Sequence, residues 1–134
     1  MSIQVGQKAR RSKTVTARDV ELYAEITGDR NPLHFDAAFA AGTRFGRLVA
    51  QGGITSGMLN ALVAMDLPGP GTVFMSQSLK YLAPTYLGDT LTAEVEVLAV
   101  KPDKPVCQLK ATITNQDGTV VLEGECWTYT LKPA

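Results

Sequence analysis

The stretch from Ile54 to about Asp66 reads as a helix with apolar residues nearly all the way round: Ile54, Met58, Leu59, Ala61, Leu62, Val63, Ala64 and Met65. A helix apolar along one stripe lies on a surface. A helix apolar on every side has to be enclosed. Gly52-Gly53 opens this one and Leu67-Pro68-Gly69-Pro70-Gly71 stops it. At 1.5 Å per residue it spans roughly 18–20 Å. Whatever encloses it must have a similar reach.

The second half of the chain supplies such a wrapper. Val73, Met75, Gln77, Leu79 and Tyr81 alternate with Phe74, Ser76, Ser78 and Lys80. Leu91, Ala93, Val95, Val97 and Ala99 alternate with Thr92, Glu94, Glu96, Leu98 and Val100. Cys107, Leu109, Ala111 and Ile113 alternate with Gln108, Lys110, Thr112 and Thr114. Period two with one apolar face predicts half-buried antiparallel strands. Pro84 breaks the first strand and Gly88-Asp89 turns the chain into the next. Asn115-Gln116-Asp117-Gly118 is a hairpin turn, and a last strand runs from about Thr119 to Leu131.

Ahead of the central helix, Thr16-Ala17-Arg18-Asp19 resembles a capping box. Val20, Tyr23, Ala24 and Thr27 follow at helical spacing, and Gly28 ends that helix. An irregular segment then runs to about Ala50, with a short helical turn around Ala37 to Ala41. The expected class is α+β, with residues 1–134 as a single domain. An antiparallel sheet wraps the central buried helix, which is the hot-dog arrangement, and the irregular segment overhangs it. Open sheet edges predict a homodimer closed by edge pairing.

Thirteen basic and thirteen acidic residues cancel. That disfavours nucleic acid and anionic membrane as partners, since both select a basic surface. No apolar run reaches the roughly 20 residues of a membrane span, and Met1 to Arg11 holds no signal-type segment. Cys107 and Cys126 lie on predicted strands as reduced thiols, so a cytoplasmic protein is expected. Two cysteines and one histidine are too thin for a zinc site, and no metal is expected. A Gly-rich dinucleotide loop, a P-loop and a GxSxG elbow are all missing.

The chemistry-bearing residues cluster in Gly28-Asp29-Arg30-Asn31-Pro32-Leu33-His34-Phe35-Asp36, which holds the only histidine. Pro32 fixes its own φ and biases Asn31 away from the helical region, so the segment bends. A bend can bring Asp29 and His34 to one point, as proton transfer through a shared water needs. A capping aspartate and a satisfied histidine fit the same spacing. Asp36 caps the short turn that follows it. Gly52-Gly53 is either a flexible helix start or a set of free N–H donors for an oxyanion. Asn60, inside the apolar helix, is expected to be buried, bonded either to nearby backbone or to Asp29 and the catalytic water.

Asp29-Arg30-Asn31-Pro32-Leu33-His34, then Gln51-Gly52 opening the central helix, then Pro84 to Asp89, resembles the MaoC-like (R)-specific enoyl-CoA hydratases. The short bacterial members that supply polyhydroxyalkanoate synthesis are the nearest in pattern. The resemblance implies Asp29 and His34 as the catalytic pair, Gly52 N–H as oxyanion donor, and Asn31 as the partner that holds the bend. Many relatives have His-Gly where this chain has Gln51-Gly52, and some have serine at Asn60. The implied reaction is reversible addition of water to trans-2-enoyl-CoA, giving (R)-3-hydroxyacyl-CoA. The CoA thioester is the substrate and no cofactor is implied. A hot-dog thioesterase and a non-catalytic acyl-CoA binding module are the competing classes. Phe39, Phe45, Leu48 and Leu62 are candidates for the acyl pocket; Arg44, Arg47 and Lys80 are candidates for the CoA phosphates.

Overall fold

The capping box at Thr16 starts the first helix, as its residues predict. Thr16 Oγ1 accepts from Asp19 N–H, and Asp19 Oδ2 accepts from Thr16 N–H. The helix α1 spans Ala17–Thr27 and closes at Gly28, whose φ of 81° lies in the left-handed region that glycine tolerates. The computed structural model describes residues 3–133. Strand β1 is Lys8–Thr14. Two short turns follow α1: α2, Pro32–Phe35, and α3, Ala37–Ala41. Helix α4 is Gly52–Ala61, and its last turn, Leu62–Asp66, widens to π-helical geometry. Strands β2 (Thr72–Tyr81), β3 (Thr90–Val100), β4 (Val106–Thr114) and β5 (Val120–Thr130) complete the chain.

All neighbouring strands are antiparallel, in the order β1-β3-β4-β5-β2. The core is the contact between this sheet and α4. Leu59, Leu62 and Val63 meet Leu91, Val95 and Val97 of β3, Leu109 and Ile113 of β4, and Val121 and Leu122 of β5 in one buried cluster. The alternation predicted for β3 and β4 is the one observed from Leu91 to Val97 and from Cys107 to Ile113.

Three expectations need correction. First, β1 was not predicted: Lys8-Ala9-Arg10-Arg11-Ser12-Lys13-Thr14 has no apolar alternation, and it forms by pairing with β3. Second, β2 buries a different set of residues. A bulge between Phe74 and Ser76 switches the parity of the strand. Thr72 and Phe74 point inward before it and Leu79 after it, leaving Val73 (50% exposed) and Met75 (58%) on the outside. Third, the chain encloses α4 on one side only. Asn60 and Met65 are exposed, and Ile54, Ala61 and Ala64 are half-covered.

Candidate active site

The bend after α1 is built from local polar bonds. Asp29 N–H donates to Thr27 Oγ1 at 3.1 Å, and Asp29 Oδ1 accepts from Asn31 N–H at 3.2 Å. Asn31 Oδ1 accepts from Leu33 N–H at 3.0 Å, capping α2 with Pro32 in its first turn. Asp36 caps α3 in the same way through Phe39 N–H. These bonds use Oδ1 of Asp29 and leave Oδ2 facing His34 Nε2, 3.6 Å away.

The His34 tautomer follows from its other nitrogen. Nδ1 lies 2.7 Å from the Val49 carbonyl oxygen, which can only accept, so Nδ1 carries the proton. In the neutral ring Nε2 is then an acceptor. It faces a carboxylate, also an acceptor, at a distance too long for a direct hydrogen bond. Two acceptors turned toward one point suit a molecule with two protons to donate, such as water. His34 is buried, while the Asp29 side chain is 42% exposed. The pair therefore has a protein side and an open side.

Segment 49–51 brings the start of α4 against this pair. Val49 holds His34, and Gln51 Nε2 reaches the Asp29 carbonyl at 3.4 Å. Gln51 is the N-cap residue of α4, yet its side chain caps nothing. The Gly52 and Gly53 N–H groups have no acceptor among the described residues, so they remain available at the positive end of the helix. Aromatic rings crowd both glycines. A Cβ at Gly52 would lie 3.1 Å from Tyr81 Cε1, and one at Gly53 would lie 1.6 Å from the Tyr23 hydroxyl. A Cβ at either position would have to push a tyrosine side chain aside.

Beside Gly52 a cavity of about 320 Å³ runs between the overhang and the end of β2. Arg44, Phe45, Val49, Ala50, Thr55 and residues 81–85 line it with Gly52; Asp29 and His34 do not. It adjoins the pair through Val49 and Gly52. The overhang is tied down around it. Ala50 N–H donates to the Thr85 carbonyl at 2.8 Å, the Tyr86 hydroxyl donates to the Phe45 carbonyl at 3.0 Å, and the Arg47 guanidinium lies 3.9 Å from the centre of the Tyr86 ring.

Asp29, Asn31, His34 and Gly52 thus come to one end of the fold. Asn60 does not join them as expected. It is exposed and makes no hydrogen bond to Asp29 among the described residues, because it sits on the uncovered stripe of α4. Of the acyl-pocket candidates, Phe45 lines the cavity, Leu62 is sealed in the core, Phe39 is exposed and Leu48 is half-buried. Arg44 is at the cavity, Arg47 lies on Tyr86, and Lys80 is exposed. Gln51, Tyr23, Tyr81 and Thr85 were missed as members of this region. The one signal for Gln51 was a polar residue following Leu48-Val49-Ala50 directly before the glycine pair.

The chain as a whole is similar to known proteins. The MaoC like domain model matches residues 2–121. The chain is 43% identical over 124 residues to the (R)-specific enoyl-CoA hydratase of Aeromonas caviae, covering 92% of each chain. It is 42% identical over 123 residues to a 3-hydroxybutyryl-CoA dehydratase of Methylorubrum extorquens, covering 92% of this chain and 78% of that one. Among solved structures, the (R)-hydratase of A. caviae involved in PHA biosynthesis superposes with a TM-score of 0.93 at 41% identity, over 97% of this chain and 98% of that one.

Proposed function

We propose a hydratase, because this chain belongs to the MaoC-like domain family and has its hot-dog fold. It is an (R)-specific enoyl-CoA hydratase, a hydro-lyase that adds water reversibly to trans-2-enoyl-CoA and gives (R)-3-hydroxyacyl-CoA. The observation that carries the chemistry is the pair of facing acceptors, Asp29 Oδ2 and His34 Nε2.

One water donates a hydrogen bond to each acceptor. Its oxygen attacks C3 of the enoyl group, the C2–C3 π electrons move toward the thioester, and negative charge collects on the thioester oxygen. Gly52 N–H holds that charge, with the helix dipole behind it. The proton that leaves the water passes to the Asp29–His34 pair and is delivered to C2 from the same side, so that H and OH add to one face. Val49 keeps His34 in the tautomer this requires. Asn31 keeps the bend and so keeps Asp29 in place. The CoA thioester is the substrate, and no resident cofactor or metal takes a part. The cavity beside Gly52 receives the part of the substrate next to the thioester, with Arg44 at its wall as the group for an anionic portion.

A homodimer is part of this reading. The two edges of the sheet differ. Edge β1 carries Lys8, Arg10, Arg11 and Lys13, which oppose pairing with another strand. Edge β2 presents Val73 and Met75. A second copy pairs along β2 and covers the open stripe of α4. The free thiols of Cys107 and Cys126 fit a reducing cytoplasm, and supply of (R)-3-hydroxyacyl-CoA for polyhydroxyalkanoate is the proposed pathway.

The test is hydration of trans-2-enoyl-CoA at several chain lengths, followed by the enoyl absorbance, with chiral analysis of the product. Loss of absorbance with an (R) product is expected. An (S) product overturns the reading. Release of free CoA thiol with the enoyl absorbance intact marks a thioesterase instead.

A further inference from the structure

Gln51 is a buried polar residue of this region that the chemistry above does not use; Thr55 and Thr85 are others, and they bond to each other. It is 1% exposed. A side chain at the N-cap position ordinarily closes onto the first N–H groups of its own helix. This one turns away. Nε2 donates to the Val20 carbonyl of α1 at 3.0 Å and reaches the Asp29 carbonyl at 3.4 Å. The orientation of the amide is fixed, since turned over it would set Oε1 against two carbonyl oxygens, neither of which can donate. As seated, Oε1 has no hydrogen-bond partner among the described residues. A buried amide with an orphaned acceptor is a poor choice for stability alone. Methionine would fill a similar volume and leave no such atom.

Segment 49–51 touches both members of the acid/base pair, each by one bond. The Val49 carbonyl accepts from His34, and the Gln51 amide reaches the backbone of Asp29. Gln51 and Gly52 are consecutive, so a bond from Gln51 to the Asp29 peptide ties the oxyanion donor to the pair. The tie ends on α1 at Val20, a rigid element. We propose that Gln51 is a positioning residue that pins the Asp29 peptide and sets the Asp29–His34 pair in register with the Gly52 N–H. The proposal rests on the roles given above to Asp29, His34 and Gly52.

Gln51→Met in the untagged protein tests it. Misplacement of a reacting group by about 1 Å costs up to roughly a hundredfold in rate, so kcat is expected to fall about ten- to a hundredfold. KM should stay within about threefold, because the interaction serves the transition state more than ground-state binding. The melting temperature should change little, since removal of the orphaned acceptor offsets loss of the bond to Val20. His34 is the only histidine, so the imidazole signals in NMR belong to it alone; they should move in Gln51→Met as the carboxylate opposite moves. Gln51→Asn, one methylene shorter and unable to span to Asp29, should behave alike and carries the test should the methionine variant fail to fold. A wild-type kcat with unmoved imidazole signals, beside an inactive Asp29→Asn, overturns the inference and leaves the hydratase assignment standing. A lowered melting temperature with unchanged kcat per folded enzyme overturns it too. Activity retained in Asp29→Asn removes the roles on which it rests, and the inference with them.

Discussion

The wrapped helix and the overhang are held by different forces. Leu59 and Leu62 of the helix and Leu109 and Ile113 of the sheet are fully buried, and what joins them is apolar contact. In the overhang the turns are closed by side-chain oxygens of Thr27, Asn31, Asp36 and Thr43 on nearby backbone N–H groups, while Phe35 and Phe39 stay exposed. Apolar contact is strong and non-directional, so the sheet and helix supply stability. Short polar bonds are weak but directional, so the overhang supplies placement. Asp29 and His34, the proposed acid/base pair, stand where direction matters, and the two regions can be broken separately.

The largest effect should come from the overhang. Asp29→Asn and His34→Gln should each lower kcat about 10²–10⁴-fold, with circular dichroism and melting temperature close to wild type. Near-wild-type turnover in either variant would break the comparison. Next comes Leu59→Ala in the core, with an expected loss of about 2–5 kcal/mol in urea denaturation. Its kcat per folded enzyme should change little, and a large fall there would show that the core also tunes the site. A matched pair is sharper still. Thr16→Ala and Asn31→Ala each remove an N-cap side chain, worth about 0.5–2 kcal/mol. Both should lower stability modestly, but only Asn31→Ala should lower kcat, because the Asn31 side chain caps the turn that carries His34. The smallest effect is the absence of one. Burial pushes the Cys107 thiol up and that of Cys126 up to about 11. Neither should react with a disulfide reagent at neutral pH until the sheet opens, so rapid labelling of the folded protein would show the core to be the looser region.

Much of this was legible in the residues. The alternation from Leu91 to Val97 and from Cys107 to Ile113 identified two of the three inner strands, whose period matches their burial. Thr16, Asp19 and Gly28 marked the ends of α1 because capping is a local matter. The Asp29–His34 bend was legible for the same reason. What failed was whatever depended on a distant neighbour. Nothing in Lys8 to Thr14 announces a strand until β3 is beside it. The bulge after Phe74 comes from register with β5, and it reversed the inward face of half a strand. The apolar sequence around Asn60 told of enclosure but not of how much of it one chain supplies. Gln51 was read only as the residue in front of a glycine, and its long bonds to Val20 and Asp29 have no local signature.

The contact between Tyr23 and Gly53 has a consequence for how such a sequence can change. The hydroxyl occupies the space where a side chain at position 53 would begin, so the two positions divide one fixed volume. Alanine at 53 displaces the tyrosine, and a small residue at 23 opens a gap over the helix start. Growth at 53 therefore calls for movement or shrinkage at 23. Any cost of Gly53→Ala should therefore be relieved by a truncation at Tyr23.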